Sequence, residues 1–277
     1  MIELLIFIIG LFIGSFLGVL TDRIPRNETV VKGHSHCEFC KKELKWFDLI
    51  PVFSFLSTRG KCRYCKRSLP YFYPVIEIST GILFVLAYIF SIPNFKFLIF
   101  NQILNPNSLI INPLSLITIA YYLFIVSSLI VIFFTDLKYG IIPDKILLPA
   151  IVVSLLCQLI INPSSLIVNL FCGVGAFLFF VLISVIFSAL TKKDAMGGGD
   201  IKLAFLLGLF LGFPNIIVSL YLAFLTGGLV GIILIIWRKK SFRKATLPFG
   251  PFLISGAVIS LFWGNLIFQK VIVLLGF

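Results

Sequence analysis

Eight stretches of this chain are too apolar to sit in water: residues 2–20, 75–92, 114–135, 145–162, 166–190, 201–213, 216–237 and 251–269. Most reach the ~17–25 residues with which a helix crosses a hydrocarbon core. The whole sequence is 60% hydrophobic and 12% charged, against roughly 25% charged in soluble domains, so an ordinary water-soluble fold is excluded. The expected fold class is an all-α polytopic membrane protein of about eight transmembrane helices. The run 201–213 is short and interrupted by glycines, which suits a half-span or a tilted helix.

Charge orders these spans. With 93–113 read as a loop, eight spans place segments 21–73, 136–145, 191–202 and 238–250 on one side, and those four hold 21 of the 23 Lys and Arg residues. Only Lys96 and Lys270 fall opposite. A ninth span at 93–113 would move ten of the basic residues across the membrane. The positive-inside rule therefore favours eight spans with both termini outside and the basic loops cytoplasmic. The net charge of +12 has the same origin: it is juxtamembrane and spread over several loops, which argues against a nucleic-acid partner. The lipid bilayer is the partner implied.

Residues 1–20 resemble a secretory signal only in hydrophobicity. Glu3 is the only early charge, no basic n-region precedes the run, and Gly14-Ser15-Phe16-Leu17-Gly18 offers no clear cleavage site. They read as a first transmembrane anchor. Residues 21–73 follow as a loop domain too small for a substantial apolar core, a size class that commonly needs a staple. Cys37-Glu38-Phe39-Cys40 and Cys62-Arg63-Tyr64-Cys65 supply one. Two Cys-x-x-Cys knuckles separated by 21 residues suit tetrahedral zinc, giving a small zinc-ribbon-like domain with Cys37, Cys40, Cys62 and Cys65 as ligands. Disulfides are disfavoured by the cytoplasmic placement. His34 and His36 read as solvated loop residues, and Cys157 and Cys172 as small apolar packing groups.

Two acids stand at the ends of apolar runs. Asp136 closes 114–135 and opens a ten-residue hairpin, Asp136 to Lys145; Asp200 follows Gly197-Gly198-Gly199 and precedes a helical run from Ile201 to Phe213. A carboxylate at membrane depth costs ~2.5–3.5 kcal/mol at a helix centre and less near an end, so such residues tend to serve function. Asp200 also suits a helix cap, but capping does not account for three glycines, which cost backbone entropy and permit close approach. If the two acids meet, they share a proton: one acts as general base on water while the other donates to the scissile carbonyl. Asp144, after Pro143, reads as a helix N-cap. Asp194 reads as solvated, and Glu77 as a partner for a basic group or an interfacial residue.

The ordered set Gly14-Ser15-Phe16-Leu17, Arg23-Ile24-Pro25, both Cys-x-x-Cys pairs, Arg59-Gly60-Lys61-Cys62 and Tyr73-Pro74-Val75-Ile76-Glu77 resembles the type 4 prepilin peptidase family. So do Asp136, Ile142-Pro143-Asp144, Gly197-x-Gly199-Asp200 with Lys202, and Pro248-Phe249-Gly250-Pro251-Phe252. The resemblance covers nearly the whole chain. It implies a cell-membrane (inner- or plasma-membrane) aspartic protease of the Gly-x-Gly-Asp type with Asp136 and Asp200 catalytic and Gly197, Gly198, Gly199 and Lys202 in support. Such an enzyme cuts the basic leader from prepilin or pseudopilin substrates at the cytoplasmic face. The resemblance also implies methylation of the new N-terminus from S-adenosylmethionine, associated with the Cys-bearing domain 21–73, with residues 74–277 as the peptidase domain. No Gly-rich nucleotide loop is present; the donor-binding residues are unknown, with Gly60 a candidate. Gly18 stands where many members carry Asn. The alternatives are a peptidase without methylation, a protease cutting within spans, a transporter using the acids as ion sites, and a zinc-ribbon membrane scaffold.

Overall fold

The computed structural model describes residues 2–30, 35–37, 39–90, 113–191, 197–237 and 248–274. The reading of residues 93–113 as a loop falls outside them except at Pro113, which begins a helix; the readings of Asp194 as solvated and of His34 as a loop residue, and the basic stretch 238–247, fall outside them as well.

Nine α-helices are described: α1 (Ile2–Arg23), α2 (Phe53–Ser57), α3 (Phe72–Phe90), α4 (Pro113–Tyr139), α5 (Asp144–Ile161), α6 (Pro163–Thr191), α7 (Gly198–Leu211), α8 (Asn215–Trp237) and α9 (Gly250–Leu274). Extended structure among the described residues is confined to two isolated bridges, so the all-α expectation holds. Seven of these helices are long and apolar enough to cross a membrane. The eighth apolar run is α7, whose 14 residues span only ~21 Å, short of a ~30 Å hydrocarbon core.

The chain divides into two compact units: Met1–Ile111 with Tyr122–Phe134, and Asn112–Tyr121 with Thr135–Phe277. In the first, α1 and α3 pack through glycines. A Cβ on Gly10 would lie 2.7 Å from Gly81 Cα, and one on Gly14 would lie 2.7 Å from Glu77 Cα. Apolar helices gain little from hydrophobicity once in lipid, so small residues that admit a close backbone are what bind them.

Between α1 and α3 lies the cysteine module, built from two copies of one turn. In each, the residue before the first Cys bridges to a residue seven further on, His36 to Glu43 and Lys61 to Ser68. Cys37 N–H donates to Lys42 O (3.0 Å) and Cys62 N–H to Arg67 O (2.8 Å). The residue after each second Cys has positive φ: Lys41 at 56° and Lys66 at 60°. Two matching knuckles therefore face one point. Glu77 anchors the module to α3: its Oε2 accepts the N–H of Val52 at 2.7 Å. Val52 has φ 59° and ψ −46°, a rare conformation for a β-branched residue. The partner of Glu77 is thus a backbone amide rather than the basic group anticipated as one option.

In the second unit, α6 crosses α7 where glycines meet: a Cβ on Gly208 would lie 2.7 Å from Gly173 Cα. A buried polar cluster joins four helices. Tyr121 Oη and Ser154 Oγ are 2.7 Å apart. Gln158 Nε2 donates to Leu209 O at 2.7 Å, and Asn169 Nδ2 donates to Gln158 Oε1 at 3.1 Å. Leu209 O is one of the last four carbonyls of α7, which have no partner inside their own helix. In lipid such a group must be satisfied internally, and Gln158 does this.

Candidate active site

Asp136 lies inside α4, not at the head of a ten-residue hairpin. The helix runs one turn further, to Tyr139, because Asp136 O accepts the N–H of Gly140 at 2.8 Å and only there does the chain turn, with Gly140 at φ 66°. The connection to α5 is then residues 140–143. Asp136 is 4% exposed. Gly250, the first residue of α9, packs against it: a Cβ there would lie 2.5 Å from Asp136 Oδ2 and 3.4 Å from Ile142 Cδ1. The Gly250 backbone amide faces the same carboxyl group.

Asp200 is also placed differently from the sequence expectation. The helix α7 starts at Gly198, with Gly197 as N-cap and no side-chain cap bond, so Asp200 is its third residue rather than the residue preceding it. The carboxylate reaches back to the Gly197 amide, the reciprocal half of a capping box. Of the three glycines, Gly199 is required by packing, since a Cβ would lie 2.9 Å from Ile142 Cβ. A Cβ on Gly198 would meet nothing within 4 Å, and one on Gly197 would make ordinary contact with Asp200 Oδ2 at 3.5 Å. Ile142 thus touches both Gly199 and Gly250, the start of the helix that carries Asp200 and the start of the helix that packs against Asp136. Gly250 and Ile142 were visible in the sequence only as parts of the Pro248–Phe252 and Ile142–Asp144 motifs.

The charge of Asp136 is felt at Asp200. Each keeps one buried oxygen, Asp136 Oδ2 and Asp200 Oδ1, with no hydrogen-bond partner. Buried polar atoms are satisfied in the great majority of cases, and an orphan calls for an explanation. Both sit beside helix N-termini, where partial positive charge supports an anion.

Lys202 is turned to another task. Its Nζ lies 2.9 Å from both oxygens of Asp144. Asp144 is therefore not a cap: the N-cap is Pro143, without a side-chain bond, and Asp144 stands in the first turn of α5. Its carboxylate is held by a cation 58 residues away in sequence.

The four cysteine sulfurs of the module lie within 4.8 Å of one another, and Cys37 Sγ is 3.9 Å from Cys65 Sγ. A tetrahedral ZnS₄ centre with Zn–S ≈ 2.3 Å needs sulfurs ~3.8 Å apart, so the donor set fits zinc. Burial pushes the Cys37 thiol up, but the amides of Cys40 and Phe39 and the neighbouring thiols outweigh it and bring it to about 7. The Arg67 amide lowers Cys65, but burial and the other three thiols push it to about 11. Four thiols this close resist joint ionisation; a divalent cation removes that resistance. His36 is exposed and lies outside the cluster. Gly60 has φ 68° and donates its amide to Phe55 O at 2.8 Å, closing α2, which accounts for glycine there without a ligand.

Fold and site together define a multi-pass membrane protein with two acids, Asp136 near the end of α4 and Asp200 in the first turn of α7, and a four-cysteine module. Residues 8–91 match the model described as Bacterial Peptidase A24 N-terminal domain, and residues 123–232 match that described as Type IV leader peptidase family. The chain belongs to the type 4 prepilin peptidase family. The first match holds all four cysteines of the module and the second holds both Asp136 and Asp200. The chain is 29% identical over 264 residues to a prepilin leader peptidase/N-methyltransferase of Bacillus subtilis, covering 94% of each protein. It is 29% identical over 297 residues to one from Pseudomonas putida (98% and 93% covered), and 28% over 288 residues to one from Legionella pneumophila (93% and 91%). No solved structure matches the chain.

Proposed function

We propose that this protein removes the basic leader of type IV prepilin-like substrates at the cytoplasmic face of the cell membrane, with Asp136 and Asp200 as the catalytic pair, and methylates the N-terminus so released. The observation that carries the peptidase reading is the pair of orphaned buried oxygens, Asp136 Oδ2 and Asp200 Oδ1, with the charge of Asp136 felt at Asp200. Buried acceptors left without partners are what a bound water and a scissile carbonyl require. In the reaction one carboxylate takes a proton from water as its oxygen attacks the carbonyl carbon. The other, protonated, donates to the carbonyl oxygen; collapse then expels the amine, which leaves with a proton. Ile142, Gly199 and Gly250 keep the two acids in register by steric contact, which is how orientation is converted into rate.

The prepilin names belong to the relatives, and their coverage of both chains supports carrying the activity over. A prepilin has a basic leader followed by an apolar helix, so its cleavage point lies at a membrane boundary. Cys37, Cys40, Cys62 and Cys65 would hold zinc through four thiolates, which would give it a structural rather than a catalytic role. S-adenosylmethionine supplies an electrophilic methyl group to the new amine.

Cleavage of a purified prepilin in detergent tests the pair. Asp136→Asn and Asp200→Asn, which keep shape and remove proton transfer, are each expected to reduce cleavage to background. Wild-type rates in either would sink the assignment. Transfer of a labelled methyl group to the cleaved N-terminus tests the second activity.

A further inference from the structure

The short helix α2 is seated deeper than a loop standing in water would be. Its N-cap amide, Val52 N–H, donates to Glu77 Oε2 at 2.7 Å. Glu77 is five residues past Phe72, the first residue of α3, or about 7.5 Å along that helix. Facing Glu77 is Gly14, where a Cβ would lie 2.7 Å from Glu77 Cα. Gly14 is nine residues short of the end of α1 at Arg23, or about 13.5 Å along it. Both α1 and α3 are long and apolar enough to cross a membrane. The start of α2 therefore lies alongside two spans, inside their ends. At such a depth an amide outside a helix has to be satisfied by protein, and Glu77 does this for Val52.

What α2 turns outward is apolar. Phe55 packs inward, against Tyr71 with ring centroids 5.4 Å apart and beside Gly60. Phe53 and Leu56, three positions apart and so on one helix face, are 64% and 67% exposed. Tyr71 is exposed too, and with the exposed Val75, Ile78 and Ile82 it forms a single stripe down α3. The outward face of α2 is thus joined, through Phe55 and Tyr71, to the exposed apolar face of a membrane-crossing helix. Trp46, 78% exposed, heads the same segment in the turn Trp46–Leu49. Exposed cations flank the segment, Lys45 before it and Arg59 after it. Its one acid, Asp48, is held by Arg63 at 2.8 Å. Exposed aromatic and aliphatic side chains between cations, with the acid neutralised, are what a segment lying in a membrane interface carries. We propose that the cysteine module is not a free-standing loop but dips into the bilayer surface through α2. Phe53 and Leu56 enter the upper acyl chains, Trp46 and Tyr71 sit among the headgroups, and Lys45 and Arg59 meet lipid phosphates. The module is thereby held at a fixed depth beside α1 and α3.

Depth-dependent quenching of a single tryptophan measures this. In the full-length protein, Trp237→Phe with Trp263→Phe leaves Trp46 as the sole tryptophan, and adding Trp46→Phe with Phe53→Trp moves the probe to α2. Each protein is reconstituted in phosphatidylcholine and phosphatidylglycerol bilayers whose acyl chains carry bromine either near the headgroup or near the terminal methyl. The probe at position 53 is expected to lose roughly half its emission to bromine near the headgroup, to lose less to bromine near the methyl end, and to be shielded from aqueous iodide. Trp46 is expected to be quenched by the shallow bromine and in part by iodide. Phe53→Ser with Leu56→Ser, both at exposed positions, is expected to weaken the shallow-bromine quenching of Trp46 roughly twofold. An unchanged thermal midpoint certifies each variant as folded, and the native Trp46 carries the test if Phe53→Trp fails that check. Emission that iodide quenches freely and neither bromine position touches puts α2 in water and overturns the proposal. Bromine quenching that saturating prepilin abolishes assigns the face to a substrate helix, and overturns it as well.

Discussion

Gly250→Ala is the smallest change that tests whether Asp136 is catalytic and how finely it is placed. The new Cβ would lie 2.5 Å from Asp136 Oδ2 and 3.2 Å from its Cγ, where ordinary contact begins at 3.4 Å. The shortfall at the oxygen is 3.4 − 2.5 = 0.9 Å. Ile142 Cδ1, at 3.4 Å, blocks a second direction of escape for the methyl group, so the carboxylate gives way. A misplacement of about 1 Å in a catalytic group costs on the order of 10²-fold in rate, or about 2.7 kcal/mol of transition-state stabilisation. The expected result in a detergent cleavage assay is a kcat reduced about a hundredfold, with KM within a few-fold, because the substrate's apolar helix does not bind through Asp136. Gly175→Ala is the matched control: it also adds one methyl to a helical glycine, but with nothing within 4 Å, and it is expected to cleave at the wild-type rate. A kcat for Gly250→Ala within threefold of wild type would refute the reasoning, whatever the outcome at other positions.

Cys37→Ser/Cys62→Ser is expected to lose bound zinc by metal analysis and to lower the thermal midpoint, since metal affinity at such a site is folding free energy; equal zinc in both proteins would contradict the tetrad. The Lys202–Asp144 pair is half-exposed, with side-chain exposures of 44% and 52%, so a double-mutant cycle with Lys202→Met and Asp144→Asn should give a coupling of about 0–1 kcal/mol; a larger coupling, or loss of cleavage in Lys202→Met, would restore Lys202 to the active site. Gln158→Leu removes the donor to Leu209 O and is expected to destabilise by about 0.6 kcal/mol, the average for hydrogen bonds between membrane helices, and by no more than about 1.7 kcal/mol, read as a lowered midpoint in detergent denaturation.

What the sequence made legible was local, and what it hid was tertiary. The cysteine tetrad could be read because each knuckle is closed by its own backbone, Cys37 to Lys42 and Cys62 to Arg67, so spacing alone carries the geometry. The long apolar runs could be read because one helix at a time meets the lipid. The end of α4 could not: Leu137-Lys138-Tyr139 reads as the start of a loop, yet the helix persists until Gly140 turns it. Asp144 after Pro143 has the local signature of a cap, but its partner Lys202 is 58 residues away, beyond any local rule. The same holds for Gly250, whose role arises from one contact with Asp136 that no pattern within 248–252 records.

The short helix α7 has a consequence for where water can go. At ~21 Å it cannot set both ends in the headgroups on either side of a ~30 Å core. Its carboxyl end is closed by carboxamides instead: Gln158 holds the Leu209 carbonyl and is itself held by Asn169. Side chains there do the work that hydration does at a membrane surface. The amino end has no such substitute, because Asp200 and its neighbour Asp136 keep open acceptors. Polar satisfaction of this helix is thereby one-sided: side-chain amides close one end, and the other keeps the open acceptors that the proposed hydrolysis would use.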